Sequence, residues 1–155
     1  MIFDSETFNN LNVTIAGSYN AIGTTTFQSA AGAAPPVEFD ANVTRGTLNL
    51  TTGTLTGAGT VTVTGLLSWT GGTMSGAGTT NASGGLAISG SGAALDARTL
   101  NITANASATW TGPGSITLGK GAVLDNQRGA TFTVQNQGDQ GIFGDMEPNR
   151  AFVGH

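Results

Sequence analysis

The side chains of this 155-residue sequence that could do acid–base chemistry are a few scattered carboxylates. Those in the central part of the chain are Glu38, Asp40, Asp96 and Asp125. A glycosidase needs two carboxyl groups about 5–9 Å apart, one on each side of the scissile bond. Asp96 lies two residues before Arg98. Asp125 has a similar neighbour in Arg128. Because this spacing favours ion pairs at local corners, we predict no catalytic residue.

Signals for metal binding are also weak. The sequence has no cysteine, which excludes disulfides, thiolate metal sites and cysteine nucleophiles. It contains neither tandem calcium-binding nonapeptides nor an EF-hand loop. Asp139, Asp145 and Glu147 could gather round a calcium ion, but a solvated acidic tail explains them more simply. The only histidine, His155, is the last residue and a poor candidate for a positioned base. We predict neither a metal nor another cofactor.

The composition narrows the class of partner. Charged residues make up 9% of the chain and the net charge is −4, whereas ordinary domains contain about 25% charged residues. So few basic residues make nucleic acid or an anionic membrane surface a poor partner. No apolar run reaches the roughly 20 residues of a membrane span. With 38% hydrophobic residues, the chain is too apolar for a disordered protein, and we expect a single domain over residues 1–155.

An internal repeat indicates the elements that must position any site. Thr51–Thr60 reads TTGTLTGAGT, and nineteen residues later Thr70–Thr79 reads TGGTMSGAGT, with seven of ten positions identical. A period near twenty residues is typical of stacked architectures in which each unit covers the last. Frequent Thr, Val and Ile between glycines predict short strands joined by tight turns. No window shows the apolar spacing of an amphipathic helix.

Apolar residues two apart place their side chains on the same face of a strand. A first series of such pairs, at steps of 19 to 24 residues, reads Leu48/Leu50, Leu67/Trp69, Leu86/Ile88, Ala108/Trp110 and Phe132/Val134. A second reads Val13/Ile15, Val37/Phe39, Val61/Val63, Thr80/Ala82, Leu100/Ile102 and Ala122/Leu124. A third, of single residues, reads Leu55, Met74, Leu95 and Ile116. The residues between the pairs, such as Asn49, Ser68 and Ala87, should be exposed.

Three inward segments per repeat predict an all-β fold, a parallel β-helix (β-solenoid) of roughly six rungs with three short strands per rung of about 19–24 residues. The rival fold is an antiparallel β-sandwich, but the Asn-Gly and Asp-Gly signals of hairpins are missing. Two segments depart from the pattern. Residues 30–36 contain two prolines and predict a loop insertion. Residues 135–155 are more polar, and we expect either a C-terminal cap or a truncated further repeat.

Between Arg45 and Gln137 the motifs Trp-Thr-Gly and Gly-Ala-Gly-Thr each occur twice, and Leu-Asp-Ala-Arg-Thr-Leu occurs once. In these motifs the chain resembles the β-strand repeat regions of large bacterial surface and secreted proteins, which are adhesin-like or autotransporter-passenger-like. The resemblance implies export to the cell surface or the medium, which agrees with the lack of cysteine. It implies no particular ligand, because β-helical repeats serve as stalks, adhesins and enzymes alike.

These observations predict a non-catalytic structural or adhesive segment of a longer bacterial surface or secreted β-helix. It would associate with itself, end to end or laterally, or contact glycans on a host or biofilm surface. The main alternative is a carbohydrate-active β-helix fragment, which an exposed Trp69 or Trp110 beside Asp96 or Asp125 would favour.

An ice-binding solenoid is a lesser alternative, because it needs a regular array of outward threonines. The outward residues of the first series are Asn49, Ser68, Ala87, Thr109 and Thr133. Those of the second are Thr14, Glu38, Thr62, Asn81, Asn101 and Val123. Neither column is regular in threonine. Both are mostly small and hydrogen-bonding, which suits lateral packing or weak glycan contact.

Overall fold

The computed structural model describes residues 2–9, 13–17, 19–28, 36–136, 139–144 and 151–154. These residues form strands and turns, and none of them is helical. In this part of the chain, accordingly, no helix offers the length and apolar character that crossing a membrane would require. The strands are β1 (Ile2–Asn9), β2 (Val13–Ile15), β3 (Tyr19–Gln28), β4 (Pro36–Phe39), β5 (Val43–Leu50), β6 (Thr54–Thr56), β7 (Thr60–Val63), β8 (Leu67–Trp69), β9 (Thr73–Ser75), β10 (Thr79–Ala82), β11 (Leu86–Ile88), β12 (Gly92–Asp96), β13 (Thr99–Ile102), β14 (Ser107–Trp110), β15 (Ser115–Gly119), β16 (Val123–Asn126), β17 (Thr131–Val134), β18 (Ile142–Gly144) and β19 (Ala151–Gly154).

The strands stack into a parallel β-solenoid with three sides. The first side contains β8, β11, β14 and β17, and the second contains β7, β10, β13, β16 and β19. The long strands β1, β3 and β5 join these two sides into one sheet of twelve strands. The third side is a sheet of seven strands, in the order β2, β4, β6, β9, β12, β15, β18. The predicted fold class, with three short strands per rung, is confirmed.

The register of the first interior series is confirmed residue by residue. Leu48 pairs with Leu67, and Leu50 pairs with Trp69. The series continues in the same register through Leu86/Ile88, Ala108/Trp110 and Phe132/Val134. These side chains are buried as far as Trp110, whereas Val134 in the last strand of this side is 57% exposed. Asn49, Ser68 and Ala87 point outward but are half-buried, because neighbours one rung away, at about 4.8 Å, cover part of each side chain.

The predicted second series was wrong at its beginning. Val13/Ile15 and Val37/Phe39 lie on the third side, where β4 pairs with β6. On the second side, Val43 and Arg45 instead lie opposite Val61 and Val63, and on their other edge they pair with Tyr19 and Ala21 of β3. The reason is that β5 runs unbroken from the second side into the first. The three early rungs that contain β1, β3 and β5 therefore each have one corner fewer than the three-strand pattern assumes.

The later ends of two predicted series were also out of register. On the second side, Leu124 lies opposite Leu100 and Asn126 opposite Ile102, so Asp125, not Val123, continues the outward column of Asn81 and Asn101. On the third side, Leu95 lies opposite Leu118, whereas Ile116 lies opposite Ala93. Both shifts follow from the later rungs, which lengthen to 23 residues between Leu95 and Leu118 and to 24 residues between Leu100 and Leu124.

Tight stacking of corners explains the repeated Gly-Ala-Gly-Thr motif. Gly57 and Gly76 have φ values of +107° and +82°, which glycine adopts without a steric penalty. A Cβ atom on Gly59 would lie 2.3 Å from the carbonyl oxygen of Ala41, and one on Gly78 would lie 2.3 Å from that of Gly59. Glycine therefore lets each corner sit directly on the preceding one.

The two segments predicted to depart from the pattern are only partly described. Of the predicted loop at residues 30–36, only Pro36 is described, and it is the first residue of β4, a position that tolerates the missing N–H. The remainder lies outside the described residues. In the region 135–155, β18 pairs with β15 and β19 pairs with β16, both in parallel. These two strands therefore extend the sheets in the same direction as the earlier rungs.

Candidate contact face

The carboxylates considered as catalytic pairs are far apart or exposed. Glu38 and Asp96 point outward in the same column of the third side, with Thr56 and Ser75 between them. Three inter-strand steps of about 4.8 Å separate them by roughly 14 Å, which exceeds the separation in glycosidases of about 5–9 Å. Glu38 accepts a long hydrogen bond of 3.4 Å from Thr14. This pair therefore cannot flank one glycosidic bond.

The predicted ion pair between Asp96 and Arg98 was wrong. Asp96 instead pairs with Lys120, whose Nζ lies 2.8 Å from its Oδ2. The Arg98 side chain points into the solenoid and is fully buried. The two residues flank Ala97, whose φ of +58° turns the chain so that their side chains diverge.

The remaining candidates that the structure describes differ in their surroundings. Asp40 is exposed, and its Oδ1 accepts a 3.5 Å hydrogen bond from the backbone N–H of Ala58. Asp125 is half-buried on the second side, beside Asn101, and Arg128 is exposed in the turn after β16. Asp139 is exposed, whereas Asp145, Glu147 and His155 lie outside the described residues. Where the structure is described, no three or more His, Cys, Asp or Glu residues gather where they could hold a metal ion.

Both tryptophan side chains lie in the interior of the solenoid. Trp69 is fully buried, and Trp110 is 3% exposed. The indole N–H of Trp110 donates a 3.2 Å hydrogen bond to the carbonyl oxygen of Gly114. Neither ring is available for a sugar to stack on. The exposed tryptophan that would favour a carbohydrate-active site is therefore not found at either position.

The first side carries a continuous uncharged surface. Its central outward column runs in register along the axis and consists of Thr26, Asn49, Ser68, Ala87, Thr109 and Thr133. A second column lies beside it and consists of the residues two positions after Asn49, Ser68, Ala87 and Thr109. These residues all carry hydroxyl groups: Thr51, Thr70, Ser89 and Thr111. We call these two columns the uncharged face. Leu66, which is 46% exposed, lies at its edge.

Sequence reasoning found the central column but missed the column of hydroxyl groups beside it. The missed residues directly follow the strands and lie outside the apolar pairs on which the prediction was based. Their backbone hydrogen bonds nevertheless keep the strand register, since the N–H of Thr70 donates to the carbonyl of Leu50 and that of Ser89 to the carbonyl of Trp69. The signal was present as Asn-Leu-Thr, Ser-Trp-Thr, Ala-Ile-Ser and Thr-Trp-Thr at successive rungs.

The three sides differ in charge. The third side carries Glu38 and Asp96. The second side carries Asp125, in the outward column in which the Asn101 amide donates a 2.9 Å hydrogen bond to Asn81. Between Thr26 and Thr133 the uncharged face offers only hydroxyl, amide and methyl groups. Ala87 interrupts its central column, so the hydroxyl array is not regular. Such a surface can form hydrogen bonds and van der Waals contacts but has no group for acid–base catalysis.

Comparisons of the chain with protein-family models, curated proteins and solved structures found no match.

Proposed function

We propose that this chain is a non-catalytic structural segment that uses the uncharged face to pack against another solenoid or against a glycan-coated surface. The observation that carries the proposal is the unbroken lack of charge on the first side from Thr26 to Thr133. Ordinary protein surfaces intersperse charges of both signs, and surfaces without them associate more readily.

The chemistry of the face fits both kinds of partner. Hydroxyl and amide groups donate and accept hydrogen bonds, as the hydroxyl groups of a sugar also do. They repeat at about 4.8 Å along the axis, so an extended partner would meet the same groups at every rung. The Asn49 amide already donates a long 3.5 Å hydrogen bond to Thr26, which orients part of the face before a partner arrives.

The cellular setting of this proposal is the surface of a bacterium or the extracellular medium. The lack of cysteine agrees with that setting, because the stacked strand architecture needs no disulfide for its stability. The adhesin-like repeat motifs of the sequence support it as well. In this setting the solenoid serves as part of a stalk whose sides make the contacts.

The test compares two pairs of lysine substitutions that add the same charge to different sides. Ser68→Lys with Ala87→Lys alters adjacent rungs of the uncharged face, and Thr73→Lys with Ala94→Lys alters adjacent rungs of the third side. Sedimentation at increasing concentration measures self-association, and a glycan array measures sugar binding. We expect the first pair alone to reduce association or glycan binding. Equal behaviour of the two pairs would contradict the proposal.

A further inference from the structure

One corner of the solenoid departs from the glycine motif and contains a buried cation. Successive rungs place Gly59, Gly78 and Arg98 one above another between the third and second sides, since Thr60, Thr79 and Thr99 are paired in register. The motif Gly-Ala-Gly-Thr thus becomes Asp-Ala-Arg-Thr in the third rung. Arg98 has no exposed surface.

All five N–H groups of the Arg98 guanidinium have an acceptor, and all five acceptors are neutral oxygens. Nε donates to Oγ1 of Thr80 at 2.8 Å. Nη1 donates to the carbonyl oxygens of Gly57 and Ser75 at 3.1 and 3.0 Å. Nη2 donates to those of Gly59 and Thr79 at 3.2 and 3.1 Å. These acceptors belong to the two preceding rungs, so one side chain connects three rungs.

The preceding corners provide the space and the oxygens for this side chain. A Cβ atom on Gly78 would lie 2.9 Å from Nη1 of Arg98, so a larger residue there would displace the guanidinium. The carbonyl of Gly57 also accepts the backbone N–H of Gly78, and the carbonyl of Gly59 accepts that of Thr79. Each of these two oxygens therefore uses both lone pairs, one for the sheet and one for the cation.

Thr80 is the polar exception in its column. Its neighbours one rung away are Val61 and Leu100, both fully buried. A hydroxyl in that position costs free energy unless it is hydrogen-bonded, and the bond from Nε of Arg98 supplies the partner. Burial lowers the pKa of Arg98 to about 10, so the guanidinium remains charged at neutral pH.

We infer that the corner built by Gly57, Gly59, Ser75, Thr79 and Thr80 is a binding site for a planar guanidinium cation. Its ligand in the intact chain is the Arg98 side chain, which locks three rungs in one register. The site is independent of the uncharged face and of the function proposed for that face. When Arg98 is removed, the same oxygens accept a free guanidinium-type cation.

The first test is a double-mutant cycle between Arg98 and Thr80, read as the urea midpoint of unfolding. In the intact chain, Thr80→Val lowers the midpoint because Nε loses its acceptor. In Arg98→Gly, the same substitution leaves the midpoint unchanged or raises it, since valine matches Val61 and Leu100. A midpoint that moves by the same amount in both backgrounds overturns the inference.

A second comparison covers the case in which Arg98→Gly does not fold. Thr80→Ser keeps the hydroxyl but loses a buried methyl group, whereas Thr80→Val keeps the volume but loses the hydroxyl. In the intact chain, the valine variant unfolds at lower urea than the serine variant if the guanidinium needs this oxygen. The reverse order overturns the inference.

The last test fills the vacated site of folded Arg98→Gly with methylguanidinium at millimolar concentration. A ligand that binds only the native state raises the melting temperature with the logarithm of its concentration. We expect such a rise for Arg98→Gly and none for the intact chain, whose site is occupied. N-methylurea, neutral and of similar shape, is the matched control. No rise with methylguanidinium, or an equal rise with methylurea, overturns the inference.

Discussion

Trp69 and Trp110 lie in the same interior column, two rungs apart, with Ile88 between them. Both side chains are buried, and the column places them along the axis of the first side. The uncharged face lies on the opposite surface of the same strands. The two largest residues of these rungs therefore support the face from within and leave its outer surface to Asn49, Ser68 and Thr109.

Truncation of Trp69 should destabilise its own rung and the two neighbouring rungs. Because Trp69 is fully buried, we expect Trp69→Ala to lower the free energy of unfolding by about 3–5 kcal/mol. Urea unfolding followed by the fluorescence of Trp110 measures the change. Ser68→Ala, which alters the adjacent outward residue, is the control and should change the free energy of unfolding little. If Trp69→Ala lowers the free energy of unfolding by less than about 1 kcal/mol, the column of tryptophans is not a major part of the hydrophobic core.

A charge in the first interior series should prevent folding. Leu67 is fully buried between Leu48 and Leu86, so Leu67→Asp would bury a carboxylate with no compensating partner. Circular dichroism and size-exclusion chromatography should show an unfolded or aggregated chain. Ser68→Asp places the same charge one residue away but facing outward, and it should fold. A folded Leu67→Asp protein would contradict the observed strand orientation.

The glycine corners should tolerate no side chain where the rungs touch. Gly78→Ala brings a Cβ atom to 2.3 Å from the carbonyl oxygen of Gly59, and overpacking of this kind costs about 1–3 kcal/mol. Gly92 has no atom within 4 Å of a Cβ position, so Gly92→Ala should be neutral or stabilising by about 0.4–1 kcal/mol. Thermal unfolding of the two variants checks the difference. Similar melting temperatures would show that the corners can separate without cost.

Removal of the last strands should promote assembly. Deletion of residues 138–155 removes β18 and β19 and leaves β15 and β16 with unpaired edges. Open strand edges pair with other chains unless charge or covering protects them, and the chain contains a single lysine, Lys120. Light scattering should therefore report larger particles than those of the full chain. A truncated protein that stays monomeric at high concentration would show that its edges are protected by other means.

The sequence predicted the parts of the fold that repeat with a constant period. Leu48, Leu67 and Leu86 follow one another at nineteen residues, and the structure places them in register. The prediction failed where the period changes. β5 crosses from the second side to the first without a corner, and no local residue pattern distinguishes such a strand from two separate ones.

The candidate sites were less predictable because they depend on contacts between rungs. Arg98 and Asp96 are close in sequence and look like an ion pair, yet the acceptors of Arg98 come from residues 57 to 80. Arg45 was likewise unforeseen as an interior residue, and its guanidinium carbon lies 5.0 Å from the centroid of the Phe39 ring. Burial of a cation depends on oxygens or rings that neighbouring rungs supply, which a one-dimensional pattern does not reveal.

The parallel register has a mechanical consequence. Each strand pairs with its equivalent in the next rung, so a pulling force along the axis acts on the hydrogen bonds of one rung before it reaches the next. A rung of about 20 residues that detaches and unfolds adds roughly 70 Å of extended chain. Under tension the solenoid would therefore lengthen in steps and dissipate work at each step. The three rungs that the Arg98 hydrogen bonds connect should unfold at the highest force. Single-molecule pulling would show this as a sawtooth trace.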